Sequence, residues 1–297
     1  MYYVSGGEVM QKLFEEKEGE KFYGARYDTV FKNVIACESG KNILKAIIEC
    51  ALGMKLEEII LVPNELEKSS IESKGKTTDC IVKCDNMVIN VEVNRVIDEG
   101  IRDRNARYIM TKHINQFKKN DDYTRVVHSV QINLDYNKEE DDYKKVYMFR
   151  EENNKDDLFT NKIKIMTFNM AKLLEVWYNS DINNFEYKYL AMLAIDSKEK
   201  LEKLPMEDDI MEEYKNGVID INNNDEFKDI LTKEEENERV DRASLYYAHR
   251  DGFKEGTVSG IEQSKMEIAK NMLIRNMEIS LISELTGLSL DEIENLK

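Results

Sequence analysis

Apolar positions 43, 44, 46, 47, 48, 51 and 52 recur at three- and four-residue spacing, which predicts a helix over Asn42–Leu52. Ser39 is its candidate N-cap and Gly53 its stop. The short apolar run Ile59–Val62, closed by Pro63, predicts a strand. Lys76–Lys83 and Met87–Val93 predict two more, with Cys84-Asp85-Asn86 as a hairpin link. In the second of these, Val91 and Val93 point one way and Asn90, Glu92 and Asn94 the other. Ile101–Phe117 predicts a helix whose apolar stripe is Ala106, Ile109, Met110, Ile114 and Phe117. Val126–Leu134 is again a strand. The order helix, strand, strand, strand, helix, strand describes a compact α/β core. Lys144–Arg150 and Ile163–Phe168 read as peripheral strands, and Ala171–Trp177 and Phe185–Asp196 as helices.

The pattern changes after Lys233. Residues 234–276 have helical composition, with glycines at 252, 256 and 260. Their flanks are charged, so this is not a membrane packing motif; it marks a flexible helix face or a close contact. Glu278–Lys297 predicts two short helices, the first ended by Thr286-Gly287, the second started by a Ser289–Glu292 capping box. Such a pair is either a DNA-reading helix-turn-helix or a small hairpin packing on itself or on another subunit. Few basic residues are present to grip phosphate, which favours the hairpin. The chain accordingly divides into a polar lead-in (1–25), a core domain (26–205) and an acidic helical region (206–297), the last a candidate surface for homo-oligomers.

Composition narrows the class. Of 297 residues, 41% are hydrophobic and 34% charged, as in a globular protein with a highly charged surface. No apolar run reaches the roughly 18 residues of a membrane span, so no membrane partner is expected. The N-terminal segment lacks the basic and apolar regions of a secretory signal. The four cysteines are therefore expected as reduced thiols in a cytoplasmic protein. A net charge of -16 repels nucleic acid at long range, so any DNA contact must be local. Ile101–Arg125 is the exception, with seven basic residues against three acidic ones.

The chemistry lies in Thr78-Asp79-Cys80-Ile81-Val82-Lys83 and Ile89-Asn90-Val91-Glu92-Val93-Asn94-Arg95. Antiparallel pairing of these strands brings Asp79 beside Glu92. Two carboxylates in reach of one another repel unless a cation lies between them. Hard oxygen ligands suit Mg²⁺ or Mn²⁺, which can polarise a phosphodiester and activate water. The alternative places both acids on the solvated face of an amphipathic hairpin. Cys80 and Cys84 lack two further soft ligands for zinc, and no phosphate-binding glycine loop or Ser/His/Asp pattern is present.

The motifs in order resemble those of the recombination-promoting nuclease/putative transposase family, a branch of the PD-(D/E)XK nucleases. Asp28-Thr29-Val30-Phe31-Lys32 is similar to its D-x-x-F-K opening. Lys76-Thr77-Thr78-Asp79 is similar to its K-x-x-D strand, and Ile89-Asn90-Val91-Glu92-Val93-Asn94 to its I-x-[IV]-E-x-Q strand. Arg104, Arg107-Tyr108, Asp122-Tyr123, Gln131-Ile132-Asn133-Leu134 and Leu285-Thr286-Gly287-Leu288-Ser289 continue the likeness. The resemblance implies an αβββαβ restriction-endonuclease-like core, a mixed sheet flanked by helices, with a C-terminal helical extension. It implies metal-dependent DNA hydrolysis in recombination or mobile-element biology. Asp79 and Glu92 would bind the metal, with the Val93 carbonyl completing the set.

Asn94 stands at the position of Lys in much of the superfamily and Gln in this branch. It carries no charge and little basicity, so it can orient a water but not stabilise a phosphorane by charge. Arg104, Arg107 and Lys32 are candidate DNA contacts, and Asp28 and Glu49 candidate accessory carboxylates. Tyr108 reads as a core residue. The rival reading is a nuclease fold without chemistry, serving as a DNA-binding or protein-interaction module.

Overall fold

The computed structural model describes residues 21–62, 79–95, 97, 99–117, 122, 124, 126–136, 141–205 and 207–296, with the backbone of Glu65–Leu66 and Lys76–Thr77. Thr78, Lys118, Lys119, Asp121, Tyr123, Arg125 and most of the 1–25 lead-in lie outside them. Two compact units are present, one ending at Glu238 and one beginning at Arg239.

The first unit opens with α1 (Asp28–Val30), which continues as a π-type turn over Phe31–Ile35. Helix α2 follows (Lys41–Leu52), burying Ile43, Leu44, Ala46, Ile47, Ile48 and Ala51. Ser39 is not its cap: Gly40 holds that place, and the Ser39 hydroxyl pairs with the Cys37 thiol. A Cβ on Gly40 would lie 2.1 Å from the Val34 carbonyl oxygen, so only glycine lets the π-turn and α2 approach this closely. Gly53 ends α2 at φ 70°, the left-handed conformation that glycine adopts without penalty.

The strands are β1 (Ile60–Val62), β2 (Glu65–Leu66), β3 (Lys76–Thr77), β4 (Cys80–Cys84) and β5 (Met87–Asn94). The single strand expected over Lys76–Lys83 is thus two pieces: β3 pairs with β2 and β4 with β5. Asp85 (φ 44°) and Asn86 make the tight turn between Cys84 and Met87. Helix α3 (Ile101–Ile114) leads to β6 (His128–Asp135), then β7 (Lys144–Arg150) and β8 (Leu158–Asn169). The six-stranded sheet runs β1-β4-β5-β6-β8-β7, with β5, β6 and β8 parallel and the other pairings antiparallel. This is the αβββαβ order within a mixed sheet. β8 is not peripheral: it lies between β6 and β7.

One face of the sheet carries Cys80, Val82, Ile89, Val91, Val130, Ile132, Leu134, Met166 and Phe168 into the main core. There it meets α2, α4 (Met170–Tyr178) and α5 (Lys188–Ala191, continuing as a 3₁₀ turn). The helix expected over Phe185–Asp196 is therefore shorter. After α6 (Lys198–Glu202), α7 (Asp209–Asn223) adds Met211, Tyr214, Val218 and Ile221 to the same core. Tyr23 and Ala25 join it from the other end, so it extends past both 25 and 205.

The opposite face is covered by α3 through Ile101, Asn105 and Ile109. Ile114, expected in that stripe, is 63% exposed, because the buried line runs through 101, 105 and 109. Central parallel strands are usually apolar on both faces. Here β5 and β6 alternate apolar and polar, and Asn90, Glu92, Asn94, Ser129, Gln131 and Asn133 are buried.

Helix α8 spans Asp225–Ile274. Gly252, Gly256 and Gly260 have open space around their Cα atoms, so no close contact explains them among the described residues. In the second unit Ala269, Ile282, Leu288 and Ile293 form a small separate core between the end of α8, α9 (Ile279–Thr286) and α10 (Leu290–Glu294). Gly287 (φ 72°) ends α9, and the Ser289–Glu292 capping box starts α10. Among the described residues no helix is long and apolar enough to cross a membrane.

Candidate active site

Cys80 pairs with Val91 and Ile81 with Asn90, so one further step of that register sets Asp79 opposite Glu92. Both lie on the face beneath α3. Val93 N–H donates to Asp79 Oδ2 at 2.6 Å, fixing one carboxylate to the backbone of the strand that carries the other. Glu92 is 4% exposed and accepts from Asn90 Nδ2 at 3.0 Å. Burial, and then the Asp79 charge, hold the Glu92 carboxyl well above the usual carboxylate range. Asp79 is also raised, by burial and by the Asp28 carboxylate, against the lowering effect of the Val93 N–H, Lys32 and Arg104.

Asp28 therefore faces the pair from α1, where Lys32 Nζ meets it at 2.8 Å. Glu234, on α8, accepts from the backbone N–H groups of Asp28 and Thr29 at 2.9 Å each and from the Thr29 hydroxyl. Arg95, just after β5, reaches the same carboxylate at 3.3 Å.

The Asn94 side chain is held at both ends. Its Nδ2 donates to Asp135 Oδ1 at 2.6 Å, and its oxygen accepts from Arg104 Nη2 at 2.8 Å. Arg104 also lies within the field of Asp79 and Glu92. Tyr108 and Lys112 follow it at successive four-residue steps along α3. Tyr108 senses Glu92, Arg104 and Asp79, so it borders the site rather than filling the core. Burial lowers the Lys112 ammonium to about 8, against the opposing pull of Glu92. Arg107 is exposed on the same helix. Glu49 is engaged elsewhere: it accepts from Leu56 N–H at 2.9 Å and pairs with Lys55 at 2.8 Å.

A row of uncharged polar groups extends from Glu92 across the sheet. Asn90 Nδ2, besides bonding Glu92, donates to Gln131 Oε1 at 2.8 Å. Gln131 Nε2 donates to Asn133 Oδ1 at 2.9 Å, and Asn133 Nδ2 to Thr167 Oγ1 at 3.2 Å. Sequence reasoning had passed over Asn90, Gln131, Asn133, Asp135 and Lys112 as functional positions. The signal lay in the polar residues at every second position from Ser129 to Asp135, and in the four-residue steps from Arg104 to Lys112.

The donors expected here are the carboxylates of Asp79 and Glu92 with the Val93 carbonyl, and no group of three His, Cys, Asp or Glu side chains gathers among the described residues. Two mutually repelling, desolvated carboxylates fit one hard divalent cation that keeps several waters.

No curated protein and no solved structure matches the chain. Two family models do. Residues 262–297 match the C-terminal HTH domain of the Rpn/YhgA-like nuclease family, which revises the preference for a simple helical hairpin in the tail. Residues 25–248 match the PD-(D/E)XK nuclease family transposase model, which takes in the whole six-stranded sheet, α3 and the carboxylate pair. With that match covering most of its length, the chain belongs to the PD-(D/E)XK nuclease family transposases.

Proposed function

We propose that the protein is a DNA endonuclease that hydrolyses phosphodiester bonds with Mg²⁺ or Mn²⁺ held by Asp79 and Glu92. The observation that carries this reading is the facing of those carboxylates across β4 and β5, with both proton affinities raised. A bound divalent ion supplies charge to the scissile phosphate and acidifies a coordinated water. The chain's own groups do the rest. Arg104 holds Asn94 and adds positive charge beside the acids. Arg107 and Lys112 offer cations along α3 for strand phosphates, and Lys32 does so once released from Asp28. That pair is partly exposed and worth only about 0–1 kcal/mol, so a phosphate can compete for the lysine.

The HTH match supports DNA as the partner, although residues 262–297 carry four basic against seven acidic residues. The family's transposase description supports a role in recombination or mobile-element biology, and a DNA substrate supports a cytoplasmic location. Self-association through α8 is supported by exposed Val240, Tyr247, Ile261 and Ile268, all multiples of seven residues apart. Sedimentation giving a monomer at micromolar concentration would exclude it.

The test is plasmid cleavage in Mg²⁺ or Mn²⁺. Asp79→Ala and Glu92→Ala are expected to lower the rate at least about 100-fold, and undiminished cleavage by both rules out the assigned site. One observation favours the rival, a nuclease fold acting only as a binding module: both ends of Asn94 are occupied by protein partners. Calorimetric titration with Mn²⁺ separates the two, since the module reading expects no uptake dependent on Asp79 and Glu92.

A further inference from the structure

Beside the carboxylate pair, between α3 and strands β6 and β8, is a cavity of about 270 Å³. Ile101 and Asn105 line it from the helix, Asn133, Ile165 and Thr167 from the sheet, and Tyr147 from β7. We propose that this cavity receives a single nucleobase of the strand held at Asp79 and Glu92, an inference that rests on the nuclease reading.

Size is the first argument. Pockets for drug-sized ligands run from about 300 to 1,000 Å³, so this one suits something smaller, on the scale of one heterocycle.

Chemistry is the second. Asn105 is 3% exposed, lines the cavity, and its side-chain oxygen has no hydrogen-bond partner. Leaving such an acceptor unmet is costly, and a ligand amine would satisfy it. Asn133 and Thr167 present an amide and a hydroxyl on the facing wall, joined by a long bond of 3.2 Å. Ile101, Ile165 and Tyr147 supply apolar and aromatic surface. Flat apolar walls with a few uncharged donors and acceptors match a base read along its edge and stacked on its faces. A phosphate is disfavoured, because the carboxylates of Asp103 and Asp135 also line the cavity and Arg102, the one cation lining it among the described residues, is exposed.

Position is the third. Glu92, Asn133 and Thr167 are in register on adjacent strands. At about 4.8 Å per strand, Thr167 is roughly 10 Å from Glu92, within reach of a nucleotide next to the cleaved phosphate. The row Glu92–Asn90–Gln131–Asn133–Thr167 ends in the cavity wall, and Asp135, also in that wall, orients Asn94. A seated base would thus touch the far end of the row that reaches Glu92 and the carboxylate that orients Asn94.

The test uses the full chain with Ca²⁺ in place of Mg²⁺ and oligonucleotides carrying 2-aminopurine at successive positions, with binding followed by anisotropy. At one position, near the cleavage site, fluorescence is expected to rise severalfold as the base leaves the stack. Ile165→Phe, which fills the cavity, and Thr167→Val, which removes only the hydroxyl, should abolish or reduce that rise while DNA affinity changes less than about threefold. Equilibrium dialysis with the four deoxynucleosides should show weak binding, lost in Ile165→Phe and retained in Glu92→Gln. DNA bound and cleaved at Asp79 and Glu92 with no fluorescence change at any position overturns the pocket and leaves the nuclease standing. Nucleoside binding without cleavage overturns the nuclease and leaves a base site. Absence of both the fluorescence change and nucleoside binding overturns the proposal, whatever the state of the variants.

Discussion

Arg104 donates to the side-chain oxygen of Asn94 at 2.8 Å, joining α3 to the end of β5 one residue beyond the proposed metal carbonyl. The amide end of Asn94 is spent on Asp135. Asn94 therefore acts on the site by holding Arg104 and Asp135 in place. Asn94→Ala should cost about 1–3 kcal/mol in denaturant unfolding, the range for leaving buried polar partners unmet. Asn94→Asp sets a second negative charge against Asp135, so its deficit should be larger at neutral pH and shrink as the solution is acidified. A deficit independent of pH contradicts this arrangement.

The acid pair makes stability fall with rising pH when no cation is bound. Glu92 has an ordinary value near 4.5 and is raised in the folded protein, so the native state binds more protons than the unfolded chain above that pH. Stability is fully present below pH 4.5 and is lost as pH rises through the folded-state value. Melting temperatures of the metal-free protein should decline across that window. Glu92→Gln should flatten the decline, and millimolar Mg²⁺ or Mn²⁺ should restore stability at the upper end.

Lys112 has the opposite sign. Its folded value of about 8 lies below the ordinary 10.5, so between these the unfolded chain binds more protons and stability rises with pH. Lys112→Met should remove that rise. DNA affinity of the parent protein should weaken as pH passes 8, and the variant should be weaker at pH 7 without that step. Anisotropy titrations across pH 6–9 measure it.

Gly40 separates the π-turn from α2 with no space for a side chain. Gly40→Ala should destabilise the first unit by about 1–3 kcal/mol, the usual range for overpacking. A melting temperature equal to the parent's would show that the backbone there adjusts freely.

The tail core is small enough for one residue to govern it. Ile282 is fully buried among Ala269, Leu288 and Ile293. Ile282→Ala should cost about 2–5 kcal/mol, enough to melt α9 and α10. Hydrogen exchange should show lost protection over residues 279–296 with β5 and β6 unchanged. Plasmid binding measured in parallel reads what the HTH segment adds.

The elements around Asp79 and Glu92 were legible because short strands with strict alternation leave little choice of face. Alternation sets Glu92 on one face with Asn90 and Asn94, and antiparallel pairing of the two strands brings Asp79 beside it. Less was legible where a residue's setting depends on distant chain. The Ile163–Phe168 run looks peripheral along the sequence, yet β7 pairs outside it. Ile114 fits a helical stripe but is exposed, since the sheet face below α3 is polar and the packed line shifts to Asn105. Alternation marks Asp135 only as one polar position of β6; the parallel pairing of β5 with β6 is what sets it against Asn94. Glu49 looked available for the site because nothing local showed its bond to the Leu56 backbone.

Glu234 clamps the start of α1 from 206 residues downstream of Asp28, and Arg95 from 139 residues downstream. Translation proceeds from the N-terminus, so a growing polypeptide displays Asp28, Asp79 and Glu92 long before the carboxylate that anchors α1 has been made. Closing so long a loop is slow compared with local helix formation. The clamp that fixes α1, and with it the place of Asp28 beside the acid pair, is therefore added only late in synthesis, after the sheet that carries Asp79 and Glu92 has been made.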